Sequence, residues 1–272
     1  MATSLLILTD FFQASNRALN YATNLAGPLG ARLVLLHVRR DSVLDAEMFT
    51  GQLSNLSKEA MDLAMNSLAE GLTVPVVAEV GHGRVAFAVA DAVSRHQPAL
   101  IVLGRPDYSG TPDELVQTTS LDILRTSPYP MLVVPHSIVD IALPKRILMA
   151  VDGEAFTLGE YAGSIRHILT SLQCELTVLH VAPETGGHQT VADALSSVLQ
   201  TGLAVDLQPV YTRTVLNASP ADGILAAATP DAYDMVVLVA RPRSFLGKLF
   251  HHSVTAQVLL HSPLPVLVVP AK

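Results

Sequence analysis

Several residue types that often point to a function are scarce in this chain of 272 residues. It has one cysteine, Cys174, which excludes an internal disulfide and a cysteine-based zinc cage. Only 15% of the residues are charged and the net charge is −7, which argues against nucleic-acid binding because that needs a basic face. No apolar run approaches the ~20 residues of a membrane-spanning helix, and the start of the chain lacks a signal peptide's pattern. We expect a cytoplasmic protein with neither a membrane nor a nucleic-acid partner.

What the chain has in abundance is internal repetition. Pro128–Pro135 reads PYPMLVVP and Pro263–Pro270 reads PLPVLVVP, and six of the eight residues are identical. Earlier segments repeat in the same order, with LLHV echoed by VLHV and LLILTD by RILMAVD. A period of this length indicates a duplicated domain rather than a solenoid, whose repeats are roughly 20–50 residues long. We predict domains at 1–137 and 143–272, joined by a linker at 138–142.

Both halves alternate short apolar runs with helical patterns. Runs such as LIVL and VVLV are typical of strands in a parallel sheet that is covered on both faces. Two segments show a helical face; the first contains Leu19, Ala22, Ala26 and Leu29, and the second contains Leu56, Ala60, Leu63, Ala64 and Leu68. Strict alternation of strands and helices predicts an α/β fold, with a parallel sheet and helices on both faces in each half.

No catalytic or metal-binding set can be assembled from the sequence. The chain has no Walker loop, no dinucleotide fingerprint and no G-x-S-x-G nucleophile elbow. His251 and His252 are adjacent, so on a helix they would diverge rather than form a metal pair. His37 and His180 precede strand ends at equivalent points, and we expect them to satisfy local hydrogen bonds.

A family resemblance emerges from three segments: ILTDFFQASNRALNYATNLAGPLGARLVLLHV, ALIVLGRP and LRTSPYPMLVVP. Together with their second copies, they resemble the universal stress protein family over nearly the whole chain. The resemblance implies two Rossmann-like domains, each with a five-stranded parallel sheet. Some members bind adenine nucleotides such as ATP through a run of the form G-x-x-G-x9-G-[ST] after the fourth strand. Its glycines let backbone N–H groups approach the phosphates.

The first half departs from that glycine-rich run. Gly104 matches the first glycine and Thr118 keeps the hydroxyl, but Asp107 and Gln117 replace the other two glycines. The loop also contains Asp113 and Glu114, which make it acidic where phosphates would bind.

The second half departs further. Aligning ALIVLGRP with MVVLVARP places Ala240, Arg243 and His252 at the glycine positions and Ser253 at the hydroxyl position, in a loop that is one residue shorter. This loop is basic, since it also holds Arg241, Lys248 and His251. Either its side chains hold an anion in place of the glycines, or they are solvated surface charges.

Four more candidate site residues lie at strand ends. Asp10 and Asp152 match the family's aspartate after the first strand, which contacts adenosine in the nucleotide-binding members. The alternative for both is a local role in capping a helix or turn. Val38 and Val181 match a position that meets adenine through its backbone, and the alternative for them is an ordinary buried strand residue.

These observations predict a non-catalytic stress-response or signalling factor. The closing Val-Val-Pro strands are expected to pair with each other and form an internal pseudo-dimer. We expect the partners to be other proteins, or a second copy of this chain, bound through those strands. The alternative is an adenine-nucleotide sensor or weak ATPase that uses one half. The first half is the better candidate because Gly104 and Thr118 match the glycine-rich run, and the second half is the better candidate because its loop is positively charged. A receiver-type domain would need a paired acidic cluster and a lysine near the last strand, which neither half has.

Overall fold

The computed structural model describes residues 3–39, 58–108, 110–111, 118–126, 128–139, 141–184, 189–207, 209–241 and 253–272. In these ranges ten strands alternate with eight α-helices. The strands β1 to β10 are Ser4–Leu8, Arg32–Arg39, Val76–His82, Leu100–Arg105, Met131–Pro135, Arg146–Ala150, Glu175–Ala182, Val210–Leu216, Met235–Ala240 and Val266–Pro270. The helices α1 to α8 are Gln13–Leu29, Lys58–Glu70, Val85–His96, Thr119–Thr126, Ala162–Leu172, Val191–Gln200, Pro220–Ala227 and Val254–His261. A short 3-10 helix, Gly159–Tyr161, precedes α5.

The ten strands form one sheet in the order β3-β2-β1-β4-β5-β10-β9-β6-β7-β8. Within each half the five strands are parallel, which confirms the predicted fold class. The halves meet where β5 and β10 pair antiparallel, with Val133 opposite Val266 and Met131 opposite Val268. The two closing strands therefore pair inside one chain, and each has a neighbour on both sides.

The sheet is covered on both faces because alternate residues of each strand point to opposite sides. Leu5 and Ile7 of β1 join a core with α1, α5 and α6, whereas Leu6 joins a core with α3, α4, α7 and α8. Every residue of β5 and β10 is buried, as expected for strands in the middle of a covered sheet. Among the described helices, none is long and apolar enough to cross a bilayer.

The segment between the halves lies along helix α1. Asn24 Nδ2 donates to the carbonyl of Ile141 at 2.9 Å, and the Arg17 guanidinium donates to the carbonyl of Ile138. Residue 140 of the expected linker lies outside the described residues. The expected domain bounds, 1–137 and 143–272, stay a prediction.

Candidate functional site

Each half has one point at which the strand order reverses, and ligands of open parallel sheets bind in the crevice beyond the strand ends there. In the first half this point lies between β1 and β4, next to Asp10 and Gly104. In the second half it lies between β6 and β9, next to Asp152. The structure therefore brings the predicted strand-end residues to two equivalent crevices. We call them the first-half crevice and the second-half crevice.

The two aspartates form the same local turn. Asp10 Oδ1 accepts the backbone N–H of Phe12 at 2.9 Å, and Asp152 Oδ1 accepts that of Glu154 at 3.1 Å. An Asp side chain that accepts from the backbone two residues later shapes the turn from a strand into the next helix. The local role considered for both residues is thus confirmed, and ligand contact by Asp10 or Asp152 stays a prediction.

The residue after each aspartate has left-handed backbone geometry. Gly153 has φ 87°, and the equivalent Phe11 has φ 65°, which is unfavourable for a residue with a Cβ. The Phe11 ring packs against the ring of His37, with centroids 5.1 Å apart and planes tilted by 40°. An aromatic pair therefore lies beside Asp10 in the first-half crevice, where the second half has glycine.

The two histidines hold the ends of neighbouring strands together. His37 Nδ1 lies 2.9 Å from the Thr9 carbonyl, and His180 Nδ1 lies 3.4 Å from the Val151 carbonyl. Because a carbonyl can only accept, each Nδ1 carries the hydrogen. This confirms the expected local hydrogen bonds. Burial lowers the pKa of His37 from its ordinary value, against the opposing effects of the Thr9 hydrogen bond and the Asp10 charge.

The second-half crevice is occupied by an arginine. Arg241 donates from Nε and Nη2 to the two carboxylate oxygens of Asp152, at 3.0 and 2.8 Å. The same guanidinium donates to the carbonyls of Glu154 at 2.9 Å and Ala155 at 3.1 Å, and its side chain is only 13% exposed. These contacts, led by the hydrogen bonds to Asp152, hold the pKa of Arg241 above its ordinary value. Asp152 and the residue after β9 are therefore joined across the point where the strand order reverses.

The chain itself covers the same crevice. Residues 153–158, which we call the strap, run from the end of β6 towards the end of β10. Thr157 exchanges two backbone hydrogen bonds with Lys272, at 3.1 and 2.9 Å. Phe156 and Leu158 are 6% and 3% exposed within the core, which anchors the strap between its ends. No such segment lies between Asp10 and α1, because α1 begins at Gln13.

Strand pairing corrects the alignment of the two fourth strands. Arg105 pairs with Pro135 in the first half, and Ala240 pairs with Pro270 in the second. Since the two prolines end the repeated PYPMLVVP and PLPVLVVP segments, Ala240 corresponds to Arg105, and Val239 corresponds to Gly104. The predicted match of Ala240 with Gly104 is wrong by one residue, because a uniform apolar strand sequence does not define its own register. The loops are therefore equal in length, since Thr118 and Ser253 both follow fourteen residues later, and the predicted one-residue shortening is wrong. With this register the second glycine position falls at residue 242 rather than at Arg243.

Gly104 has a packing role that the sequence did not reveal. A Cβ at this position would lie 2.2 Å from the Ala14 carbonyl oxygen and 2.7 Å from the Ser15 backbone nitrogen, both in the first turn of α1. Only glycine permits that approach. Helix α5 begins later, at Ala162, and Val239 stands at the equivalent position of the second half.

The two candidate hydroxyl residues begin helices. Thr118 Oγ1 accepts the Leu121 backbone N–H at 3.1 Å, and Ser253 Oγ accepts that of Ala256 at 3.1 Å. This is the N-cap interaction, which satisfies a free donor at a helix start. Thr118 is also buried, at 6% exposure. A contact of either hydroxyl with a phosphate stays a prediction.

Of the remaining candidate site residues, the structure describes Val38 and Val181 but not Arg243. Val38 and Val181 are half-buried against the core, as expected of strand residues, and a backbone contact with a base stays a prediction. The predicted Arg243 lies outside the described residues, as do Asp113, Glu114, Gln117, Lys248, His251 and His252. Within the described ranges, no three His, Cys, Asp or Glu side chains are grouped so as to hold a metal ion.

Comparison with known proteins agrees with this architecture. The family model described as "Universal stress protein family" matches residues 1–135 and again 144–270. The chain belongs to the universal stress protein family. Universal stress protein YxiE of Bacillus subtilis (strain 168) is 25% identical over 147 residues, which are 49% of this chain and 99% of that protein. The chain is thus a tandem member of the family, with two domains where this relative has one.

A solved structure of the family has the same fold over the whole chain. A universal stress protein from Archaeoglobus fulgidus DSM 4304 superposes with a TM-score of 0.72 at 20% identity, covering 98% of both chains. One family member has been solved in complex with cAMP. The match spans 48% of this chain and 96% of that protein, at 16% identity and with a TM-score of 0.37. A family protein from Arabidopsis thaliana has been solved with AMP bound. The match spans 51% of this chain and 98% of that protein, at 15% identity and with a TM-score of 0.34.

Proposed function

We propose that the protein is a non-catalytic stress-response factor of the cytoplasm, in which the first half binds an adenine nucleotide and the second half is its structural partner. The observation that carries the proposal is the asymmetry of the two crevices. In the second half, Arg241 and the strap occupy the space beyond the strand ends. A ligand there would have to displace a two-pronged arginine–carboxylate contact, which is among the stronger polar interactions in proteins.

The first-half crevice has the opposite character. Asp10 is exposed, and no lysine or arginine forms a salt bridge with it in the part of the chain that the structure describes. One carboxylate oxygen shapes the turn, so the other has lone pairs for a hydroxyl or amino donor of a ligand. The aromatic ring of Phe11 and the imidazole of His37 lie beside it. These groups suit the nucleoside part of an adenine nucleotide.

The loops support binding without turnover. Phosphoryl transfer depends on positioning the terminal phosphates and stabilising their charge. In the family's run, backbone N–H groups at three glycines help with this, but only Gly104 is a glycine here, and packing against α1 accounts for it. We therefore expect no hydrolysis of ATP.

Calorimetry with AMP on the whole chain tests the proposal. We expect one AMP site per chain. Its affinity should be about ten- to hundredfold weaker in Asp10→Asn, which is the range for one charged hydrogen bond. Asn keeps an oxygen for the turn, so the substitution removes mainly the charge. Asp152→Asn is the matched control in the second half and should leave AMP binding unchanged.

Three results would contradict the proposal. They are two equal AMP sites per chain, a loss in Asp152→Asn as large as that in Asp10→Asn, and phosphate release from ATP that requires the protein. Absence of AMP binding would also reject the ligand-binding role and leave an interaction module, that is, a factor that acts by binding other proteins. Since β5 and β10 already have neighbours on both sides, a protein partner of that module would bind another surface.

A further inference from the structure

We propose that the first-half crevice selects for the nucleoside and against phosphate charge, so that adenosine binds more tightly than AMP and AMP more tightly than ATP. This rests on the proposed function, since it concerns the same crevice. It goes further by assigning the ligand as a nucleoside rather than a nucleoside triphosphate. Three observations carry it: the contacts of Arg105, the position of Asp107, and the groups around Asp10.

The arginine that follows Gly104 in the chain makes its hydrogen bonds in the other half. Arg105 directly follows Gly104, yet its side chain is 8% exposed and reaches into the other half. Its Nη1 donates to the Leu259 carbonyl at 2.6 Å, and its Nη2 donates to the Ser262 carbonyl at 2.7 Å. These carbonyls lie at the C-terminal end of α8, where unpaired carbonyl groups and the helix dipole favour a cation. The guanidinium is therefore not directed towards a phosphate beyond Gly104.

A carboxylate lies on the phosphate side instead. Asp107 follows Gly104 by three residues, at the place of the second glycine in the family's run. Its side chain is 54% exposed, and Oδ2 lies 3.7 Å from His136 Nε2. A phosphate bound near Gly104 would lie close in the chain to the Asp107 carboxylate, whose charge also acts on the buried Arg105. Like charges at such sites repel by about 1 kcal/mol per pair in a watery environment, roughly a fivefold effect on affinity.

The groups on the nucleoside side carry no such penalty. The carboxylate of Asp10 accepts from hydroxyl and amino groups, which a ribose and an adenine both provide. Phe11 keeps its left-handed backbone, at φ 65°, while its ring packs on His37. Burial lowers the pKa of that imidazole, and the two rings, tilted by 40°, give the nucleoside side aromatic surface.

Competition calorimetry with adenosine, AMP and ATP tests the inference on the whole chain, in Mg²⁺-free buffer at low ionic strength, where charge effects are largest. We expect the affinity for adenosine to be at least about tenfold higher than that for ATP. Asp107→Asn should change the ratio of the adenosine affinity to the ATP affinity about fivefold, in favour of ATP. Asp222→Asn, an exposed change in the first turn of α7, alters the net charge equally and should leave the ratio unchanged.

The order of the three affinities and the effect of Asp107→Asn decide whether the inference holds. ATP that binds as tightly as adenosine, or a ratio that Asp107→Asn does not move, would overturn the inference and leave the proposed function standing. Failure of all three compounds to bind would overturn both, because the crevice would then not be an adenine site. Adenosine binding most tightly, AMP binding more weakly and ATP binding weakest of all would support the inference.

Discussion

Two arginines that share a sequence context contact opposite ends of the second half. Arg105 and Arg241 both precede a proline and follow an apolar strand sequence. Arg105 is the last residue of β4, whereas Arg241 lies one residue beyond β9. Since side chains alternate between the faces of a sheet, one residue is enough to change the direction of a side chain. Arg105 consequently reaches α8, and Arg241 instead reaches Asp152 across the crevice.

Phe11 offers a test of backbone strain at a single residue. Its φ of 65° costs about 1 kcal/mol or more for any residue with a Cβ, and glycine avoids this cost. We therefore expect Phe11→Gly to be more stable than Phe11→Ala by about 1 kcal/mol, although glycine usually destabilises. The free energy of unfolding of the two variants, measured in urea, gives the difference directly.

Phe87 serves as the control for that comparison. It is 63% exposed and lies in helix α3, where the backbone is right-handed. There, Phe87→Ala should be more stable than Phe87→Gly by up to about 1 kcal/mol, the reverse order. If the pair at Phe11 followed the same order as the pair at Phe87, the left-handed geometry of Phe11 would be wrong.

Helix faces differ in how well a sequence predicts them. The predicted face of α1 is correct, since Leu19, Ala22, Ala26 and Leu29 are all buried. The predicted face of α2 is only partly correct: Leu68 packs against the core, but Leu63 is 71% exposed, and the most buried positions are Met61 and Met65, each 2% exposed. Leu56 lies outside the described residues. Helix α2 carries two adjacent apolar rows, and periodicity alone does not say which row meets the sheet.

The packing of α1 against β4 predicts a large effect of one methyl group. Gly104→Ala should lower the free energy of unfolding by about 3 kcal/mol, because the new Cβ would meet the backbone of Ala14 and Ser15 rather than a movable side chain. Gly163→Ala is the control, since Gly163 lies in α5 with open space around it. That substitution should change stability by less than about 1 kcal/mol, in the stabilising direction. Urea unfolding of both variants measures the contrast. Equal stabilities would show that α1 and β4 are not in close contact.

Joining the halves through β5 and β10 leaves no free edge at the centre of the sheet. A fragment of residues 1–137 would expose β5, whose five residues are all buried in the whole chain. An uncovered apolar strand offers unpaired backbone groups to another chain. We expect this fragment to dimerise or aggregate, as measured by light scattering after size-exclusion chromatography, with the full chain run alongside. A fragment that stayed a monomer would count against the importance of the β5–β10 pairing.

The sequence alone was sufficient for the fold class and the duplication. Both rest on patterns inside short windows, such as buried strands, helical faces and the repeated Pro-to-Pro segments, and burial of apolar residues acts on each window separately. The turn-forming role of Asp10 and the hydrogen bond of His37 were also within reach, because their partners are near the same strand ends.

The state of the two crevices depended on contacts between segments that are far apart in the chain. Arg241 meets Asp152 from 89 residues away, and Arg105 meets Ser262 from 157 residues away. No local pattern specifies such partners, since they follow from the strand order and from a register that a uniform apolar strand leaves open. Folding of the whole chain therefore closed one of two crevices that look equivalent in the sequence.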